Sequence, residues 1–262
     1  MELVHHREGA GEPLVLIHGI GHHWQGWEPV IALLRDQREV IAIDLPGFGA
    51  SPMPPAGTPA GIESLTALVS RFLDSVGLDR PHVAGNSLGG WIALELARQG
   101  RVASATGLSP AGFHNRAEGL YQRTSLRLAR AAGRPLQRRG GRLLTRPRAR
   151  RLAFGQLVAH PERVPAAQAA QAIRALAGAG WFDETLVAIT GAHRFDGGEQ
   201  VSVPVSIAWG ERDRLLLPHQ AHRAARAIPD ASVITLRGCG HVPCYDDPQQ
   251  VAQVLLQGSS GR

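Results

Sequence analysis

The sequence predicts an α/β fold, with a mostly parallel central sheet flanked by helices and a helical cap inserted before the last two strands. Short apolar runs alternate with amphipathic stretches along most of the chain, and this order buries a parallel sheet under helices on both faces. Between about residues 111 and 200 no run resembles a strand. We therefore expect two parts of one core, residues 1–110 and 201–262, separated by a cap over residues 111–200.

Composition restricts the class of protein. The chain has 262 residues, enough for one large α/β domain that needs no metal or disulfide to hold its core. It has no run of about 18 apolar residues and no apolar secretory segment, so we expect a cytoplasmic protein without a membrane span. Two cysteines are too few for a disulfide framework. All 28 basic residues are arginine, which excludes Schiff-base lysines, lysine-dependent phosphate loops and Ser-Lys dyads.

The elements of the core follow from local patterns. Weak alternation indicates an edge strand over residues 3–6, and a continuous apolar run predicts a buried strand over residues 14–17. Apolar residues at helical spacing predict an amphipathic helix over residues 62–76. Further strands are expected over residues 39–43, 102–108, 203–209 and 233–236, and one more strand ends at residue 86. Further helices are expected over residues 27–34, 218–227 and 247–256, and one more helix ends at about residue 99.

The predicted cap contains four helices and most of the positive charge: Arg116 to Arg151 holds twelve arginines and one acid, Glu118. One stripe of its first helix is basic, at spacings of four, three and four: Arg123, Arg127, Arg130 and Arg134. A second stripe is mainly apolar: Leu120, Thr124, Leu128 and Ala131. We interpret the arginines as the solvated face and the second stripe as the buried underside. A nucleic-acid or anionic-membrane surface is less favoured, so neither partner is expected.

The motif Gly85-Asn86-Ser87-Leu88-Gly89 connects a predicted strand to a predicted helix. A serine in so tight a turn has a strained backbone, and its hydroxyl points out at the carboxyl end of the strand. Strand and helix backbones pass close together there, so the residues two positions away must be small. The amide of Leu88 begins the helix, where free N–H groups favour an anion. The pattern predicts a nucleophile with half of an oxyanion hole beside it.

A serine nucleophile needs a base, and an imidazole base needs a carboxylate. His241 and Asp213 each follow an apolar strand through a glycine turn, so both should emerge at the same sheet edge as Ser87. The glycine-rich loop after residues 14–17 offers the amide of Ile20 as a second oxyanion donor. Other acids remain as alternatives to Asp213, although none follows an apolar strand: Asp196, Asp230 and Asp246.

Five segments of the chain together resemble the α/β-hydrolase superfamily, in its serine-nucleophile branch with a helical cap. They are residues 18–19 (HG), 44–51 (DLPGFGAS), 85–90 (GNSLGG), 209–213 (WGERD) and 238–241 (GCGH). The resemblance implies an α/β-hydrolase fold and a triad in the order Ser87, Asp213, His241. Epoxide hydrolases and haloalkane dehalogenases of this superfamily carry aspartate at the position of Ser87. Carbon–carbon bond hydrolases of ring-fission products share the Gly-Asn-Ser elbow but often carry tryptophan where this chain has Val242.

Further residues are candidates for substrate binding or for structural roles. Six apolar side chains are candidates for the substrate pocket: Trp24, Phe48, Phe113, Phe154, Trp181 and Val242. Asp44 is interpreted as a carboxylate that fixes turn amides, and Cys239 as packing beneath the loop of His241. His18 is interpreted as support for the oxyanion loop. With His22 and His23 it forms no complete ligand set, so neither a metal nor another cofactor is expected.

The sequence thus predicts a cofactor-independent serine hydrolase that cleaves small, mainly apolar esters through an acyl-enzyme. A carbon–carbon bond hydrolase or a perhydrolase-type enzyme would use the same triad. A ligand-binding, receptor-like α/β hydrolase and a nucleic-acid-binding role for the basic segment are alternatives outside enzymes. The expected partner is a small-molecule substrate, and the oligomeric state stays open.

Overall fold

The computed structural model describes residues 2–137 and 140–260. Its strands are β1 (His5–Glu8), β2 (Glu12–Ile17), β3 (Arg38–Ile43), β4 (His82–Asn86), β5 (Ser104–Leu108), β6 (Val205–Gly210) and β7 (Ser232–Leu236). They form one sheet in the order β1-β3-β2-β4-β5-β6-β7. β1 pairs antiparallel with β3, and the other neighbouring strands pair in parallel. The predicted mostly parallel sheet is confirmed.

Helices cover both faces of this sheet. The helices of the core are α1 (Glu28–Leu34), α2 (Ile62–Ser75), α3 (Leu88–Arg98), α9 (Gln220–Ala227) and α10 (Pro248–Gly258). Side chains alternate along β2, so Leu14 and Leu16 pack with α1 and α10, whereas Val15 and Ile17 pack with α2 and α3. The core elements agree with their predicted positions to within a few residues, because their apolar periodicity is uninterrupted.

Residues 109–204 connect β5 to β6, and we call them the helical segment. It contains α4 (Arg116–Gly133), α5 (Gly140–Leu143), α6 (Pro147–Phe154), α7 (Ala166–Gly178) and α8 (Phe182–Ile189), and its described residues form no strand. Leu144, Phe154, Val164, Ala169 and Ile173 pack in a small core of its own. The four predicted helices are present, together with the short α5. No helix among residues 2–137 and 140–260 combines the length and apolarity needed to cross a bilayer.

The predicted orientation of α4 is wrong. Its buried row at four-residue spacing is mainly polar, and consists of Glu118, Gln122, Leu126 and Arg130. Leu120 and Leu128, assigned to the underside, are 64% and 65% exposed. The stripe of arginines is therefore not a solvated face as a whole, although Arg127 and Arg134 are exposed.

Polar partners on other elements explain why α4 buries this row. The guanidinium of Arg130 pairs with Asp183 at the start of α8 and donates a 2.6 Å hydrogen bond to the carbonyl of Ala179. It also lies 4.8 Å from the centre of the Phe182 ring. Arg123 donates to the Thr190 hydroxyl at 2.9 Å. A buried arginine with such partners is acceptable, and sequence periodicity carries no information about them.

Glu118, at the start of α4, joins the helical segment to the core. Its carboxylate accepts hydrogen bonds from Arg223 on α9, from His219 and from the backbone N–H of Asn115. The side chain of Asn115 in turn accepts from the N–H of Glu118, which completes a capping box at the helix N-terminus. Burial alone would raise the pKa of Glu118, but these hydrogen bonds outweigh burial and lower it to about 2.

Candidate active site

Ser87 occupies the sharp turn between β4 and α3. Its backbone has φ 57° and ψ −114°, a conformation that residues other than glycine rarely adopt and that costs about 1–3 kcal/mol. A Cβ atom at Gly85 would overlap the carbonyl of Gly89, and one at Gly89 would overlap the carbonyl of Ile17. The predicted need for small residues on both sides of Ser87 is confirmed, because the helix passes directly over two strands there.

His241 and Asp213 lie together beyond the carboxyl ends of β7 and β6. The Nδ1 atom of His241 is 2.7 Å from Oδ2 of Asp213, and both side chains are almost fully buried. The other carboxylate oxygen accepts hydrogen bonds of 2.8 Å from the N–H groups of Leu215 and Leu216. A carboxylate only accepts hydrogen bonds, so we assign the proton of the imidazole to Nδ1, which leaves Nε2 free to accept a proton.

Asn86 connects the serine turn to the loop of His241. Its side-chain amide donates 3.0 Å and 2.8 Å hydrogen bonds to the carbonyls of Leu108 and His241. From the sequence, Asn86 was predicted only as part of the elbow motif, with no structural role of its own. Asn86 is the neighbour of Ser87 in the chain, and its amide bonds to the His241 backbone. It therefore fixes the distance between the serine turn and the loop of His241.

Asp246 connects the loop of His241 to the helical segment. Its Oδ2 accepts from the N–H groups of Gly240 and Ala159 at 2.8 Å and 3.0 Å, and its Oδ1 accepts from the N–H of His160 at 2.7 Å. Asp246 is one of the three alternative acids. Its carboxylate is hydrogen-bonded to backbone N–H groups, whereas the carboxylate of Asp213 is hydrogen-bonded to the imidazole of His241. The remaining alternatives, Asp196 and Asp230, are exposed at the surface.

The loop after β2 passes beside Ser87. A Cβ atom on Gly19 would lie 3.2 Å from Cβ of Ser87, and Ile20 lines the same cavity as the serine. His18 holds this loop, because its Nδ1 bonds to the carbonyl of Gly19 at 2.7 Å and its Nε2 accepts from the N–H of Leu45 at 2.9 Å. Burial lowers the pKa of His18 to about 3, so the ring is neutral at physiological pH. The amides of Ile20 and Leu88 stay the predicted oxyanion donors.

Two further interpretations of single residues can be compared with the structure. The carboxylate of Asp44 accepts from the N–H groups of Trp24 and Ala50 at 2.7 Å and 2.8 Å, which confirms its role in fixing a turn. Cys239 is buried in the core beside α10, as expected for packing beneath the loop. Among the residues that the structure describes, no group of three or more histidine, cysteine or acidic side chains is arranged to hold a metal ion.

A cavity of about 600 Å³ contains both Ser87 and His241 in its lining. The rest of the lining is mainly aliphatic and comes largely from the helical segment. Of the six predicted pocket residues, Phe154 and Val242 line this cavity. The leucines of the lining were not predicted from the sequence, and they include Leu126, Leu128, Leu136, Leu157, Leu176 and Leu215.

The other four predicted pocket residues lie elsewhere. Phe48, Phe113 and Trp181 are buried in the core on one side of the sheet, and Trp24 packs against the core on the other side. The ring of Trp24 stacks on His6 with 4.6 Å between centroids. These side chains turn towards the core because a large aromatic ring gains more from full burial than from a place on a loop surface.

The fold and site can now be compared with known proteins. The model of the alpha/beta hydrolase family matches residues 14–254. A protein named epoxide hydrolase EphH from Mycobacterium tuberculosis is 31% identical over 193 residues, which are 71% of this chain and 89% of that protein. A 2-hydroxy-6-oxo-2,4-heptadienoate hydrolase from Pseudomonas putida is 42% identical over 95 residues, which are 35% of this chain and 34% of that protein.

A solved structure is similar over nearly the whole chain. The enol-lactonase from Burkholderia xenovorans LB400 superimposes with a TM-score of 0.77 at 20% identity, covering 97% of this chain and 95% of that one. At this identity the likeness supports the fold alone. The family model, in contrast, extends from β2 to α10 and includes the turn of Ser87 and the loops of Asp213 and His241. The chain therefore belongs to the alpha/beta hydrolase family.

Proposed function

We propose that the protein is a cofactor-independent serine hydrolase that cleaves small, mainly apolar esters, with Ser87 as nucleophile, His241 as base and Asp213 as the supporting carboxylate. The observation that carries this proposal is the buried hydrogen bond between Asp213 and Nδ1 of His241, at a cavity whose lining also includes Ser87. A buried, oriented imidazole beside a strained serine is the arrangement that turns a weakly nucleophilic hydroxyl into a nucleophile at neutral pH.

The proposed reaction has two halves. Ser87 Oγ attacks the ester carbonyl while His241 Nε2 takes its proton, and Asp213 stabilises the imidazolium that forms. The amides of Ile20 and Leu88 stabilise the oxyanion, each by about 2.7–4 kcal/mol. The C–O bond to the alcohol then breaks, and the alcohol leaves with the proton from His241. In the second half, His241 removes a proton from water, and the oxygen of that water attacks the acyl carbon. The bond from the acyl carbon to Ser87 Oγ then breaks, Ser87 takes the proton from His241, and the acid is released.

The cavity supports an apolar substrate of modest size. A volume of about 600 Å³ is in the ordinary range for a small-molecule site. Among the described residues that line the cavity there is no arginine, aspartate or glutamate, and its histidines are His22 and His241. Burial lowers the pKa of His22 to about 3, so its ring is neutral at physiological pH. The helical segment forms much of the wall, so it acts in this proposal as a cap that sets substrate size and excludes water.

Cleavage of a carbon–carbon bond is the second candidate, and the relative named 2-hydroxy-6-oxo-2,4-heptadienoate hydrolase favours it. The relative named an epoxide hydrolase suggests a third chemistry. The resemblance stated above connects epoxide opening with aspartate at the elbow, and this chain has Ser87 there. Val242 after His241 weighs against the carbon–carbon reaction, since those hydrolases often carry tryptophan at that position.

The test combines covalent labelling with a substrate panel. We expect a fluorophosphonate to label the wild type once per chain and to leave Ser87→Ala unlabelled, as measured by intact mass. Ser125→Ala is the matched control, because Ser125 lines the same cavity. This variant should still be labelled at Ser87. Labelling of Ser87→Ala at another residue would overturn the assignment.

The panel separates the candidate reactions. It contains p-nitrophenyl esters of increasing chain length, a vinylogous ring-fission diketone, an epoxide, and peroxide with acetate. Asp213→Asn should lower kcat on the preferred substrate by about 10⁴, because the imidazole would then carry its proton on the wrong nitrogen. If the protein prefers the diketone over every ester, carbon–carbon cleavage is its reaction and ester hydrolysis is not. Substrate binding without turnover would favour a ligand-binding receptor.

A further inference from the structure

Three exposed leucines surround the mouth of the cavity. Leu128 on α4 is 65% exposed, Leu143 on α5 is 41% exposed and Leu152 on α6 is 91% exposed. All three nevertheless contribute to the lining of the cavity that contains Ser87 and His241. The cavity therefore opens to solvent through an apolar rim. Exposed apolar groups clustered around an opening are typical of a surface that contacts another apolar phase.

The same part of the helical segment carries an uncompensated positive charge. Residues 119–161 include eleven arginines and no acidic residue. Four exposed arginines of this stretch make no ion pair with any carboxylate in the described part of the chain: Arg134, Arg142, Arg146 and Arg148. Arg148 lies four residues before Leu152 on α6, so the two side chains share one face of that helix.

We propose that this surface, defined by Leu128, Leu143, Leu152, Arg142, Arg146 and Arg148 and here called the leucine–arginine face, binds an anionic lipid surface. Arginines rimming exposed leucines match the two layers that such a surface presents, anionic headgroups outside and acyl chains beneath. The leucines enter the boundary of the acyl chains, and the guanidinium groups bind the headgroup phosphates. The binding is peripheral, through the leucine and arginine side chains at the rim.

Two other occupants fit this face less well. A symmetric dimer places the same patch of both copies face to face, so unpaired arginines would meet arginines with no carboxylate between them. A nucleic acid would satisfy the arginines but would leave the three leucines without an apolar partner. The expectation of no membrane partner assumed that Leu128 is buried on the underside of α4, and the observed orientation of α4 places this leucine at the surface instead.

Lipid binding does not depend on the proposed ester hydrolysis, so the test uses the full chain with Ser87→Ala. The measurement is cosedimentation with vesicles of phosphatidylcholine, with and without phosphatidylglycerol. Leu152→Glu tests the leucines, and the double variant Arg146→Glu, Arg148→Glu tests the charge. Arg71→Glu with Arg226→Glu is the matched control, because these arginines are exposed on α2 and α9 and the change in net charge is the same. Thermal unfolding checks that each variant is folded.

We expect binding to the anionic vesicles that weakens as salt is raised. Each arginine near an anionic surface contributes about a factor of five to partitioning, so the double variant on α6 should lose at least about 25-fold. Leu152→Glu should lose at least about tenfold, and the control pair should lose less than either. Hydrolysis of a soluble ester by the double variant with Ser87 intact should stay at the wild-type rate.

Three results would overturn the proposal. The first is the absence of binding to anionic vesicles at physiological salt, or equal losses in the α6 pair and the control pair. The second is a dimer in sedimentation equilibrium that Leu152→Glu dissociates, which would assign the face to a second copy. The third is salt-dependent binding of duplex DNA with no binding of vesicles, which would assign it to a nucleic acid.

Discussion

Asp246→Asn would test whether the helical segment positions the candidate base. The carboxylate accepts three backbone hydrogen bonds, from Gly240 next to His241 and from Ala159 and His160 in the helical segment. Asparagine has almost the same shape but only one acceptor oxygen. If that oxygen takes the place of Oδ2, it keeps the bonds to Gly240 and Ala159, and its NH₂ group then faces the N–H of His160.

The size of the effect follows from these three bonds. Hydrogen bonds to a charged group contribute about 1.5–3 kcal/mol and neutral ones about 0.5–1.5 kcal/mol, so the two retained bonds weaken by about 1 kcal/mol each. The N–H of His160 loses its acceptor, which costs about a further 1–3 kcal/mol. Removing a buried charge returns part of this loss. We expect the free energy of unfolding to fall by about 3 kcal/mol and kcat by about 10–100-fold, because a displacement of His241 near 1 Å costs that much.

The assay is ester hydrolysis at a temperature where the variant is fully folded, together with urea unfolding. Asp247→Asn is the matched control, because Asp247 is the adjacent acid and its carboxylate caps α10 through a 2.9 Å bond from the N–H of Gln250. The control should stay within about 1 kcal/mol of the wild-type stability, because asparagine caps a helix about as well as aspartate, and it should keep its kcat. The pH profile of Asp246→Asn should keep the wild-type shape, since Asp246 acts through position. A kcat equal to that of the wild type in folded Asp246→Asn would refute the coupling.

Two other predictions concern the serine turn and the attachment of the helical segment. Gly85→Ala should lower the free energy of unfolding by more than about 3 kcal/mol and abolish labelling of Ser87, because the added Cβ would overlap Gly89. The control is Gly178→Ala on α7, where no atom lies within 4 Å of an added Cβ, and it should leave the free energy of unfolding in urea unchanged. Equal stability of the two variants would contradict the tight turn at Ser87. The pKa of Glu118 is lowered from 4.5 to about 2, so its stabilisation is complete above about pH 4.5 and is lost as the pH falls towards 2. Wild type should therefore lose stability in this window relative to Glu118→Gln, by less than the roughly 3 kcal/mol of the full shift because the partly exposed partners are screened by solvent. Parallel urea curves for the two proteins would rule the linkage out.

The core and the positions of the candidate catalytic residues were predictable because each depends on a local rule. The central strands β2 and β3 contain continuous apolar runs, and the turn at Ser87 needs glycine at two fixed positions whatever the rest of the chain does. Asp213 and His241 were placed correctly relative to each other because parallel strands bring their carboxyl ends to one edge. Their catalytic roles stay a prediction that labelling and kinetics must test.

The residues that the sequence did not predict depend on partners without a sequence signature. Asp246 binds backbone N–H groups, which every residue except proline carries, so nothing at positions 159, 160 or 240 marks them as partners. Five of the six predicted pocket residues were aromatic, yet the described walls are mainly aliphatic and include eight leucines of the helical segment. In a chain that is 5% aromatic, the few large rings fill the core first and the smaller aliphatic side chains remain for the cavity.

The orientation of α4 follows from where its polar groups find partners. Turning the helix so that Leu120 and Leu128 were buried would gain roughly 1.5–3 kcal/mol for each leucine. The same rotation would separate Arg130 from Asp183 and Ala179, and Glu118 from Arg223, and would leave Asp183 and the Ala179 carbonyl without their present donors. Arg130 and Glu118 are each 10% exposed, whereas Asp183 and Arg223 are 50% and 36% exposed, so each pair contributes less than a fully buried one. The hydrogen bonds from Arg130 to the Ala179 carbonyl and from the N–H of Asn115 to Glu118 add to these pairs and favour the observed orientation. The leucines therefore stay at the surface, and the apolar rim of the cavity follows from the same balance.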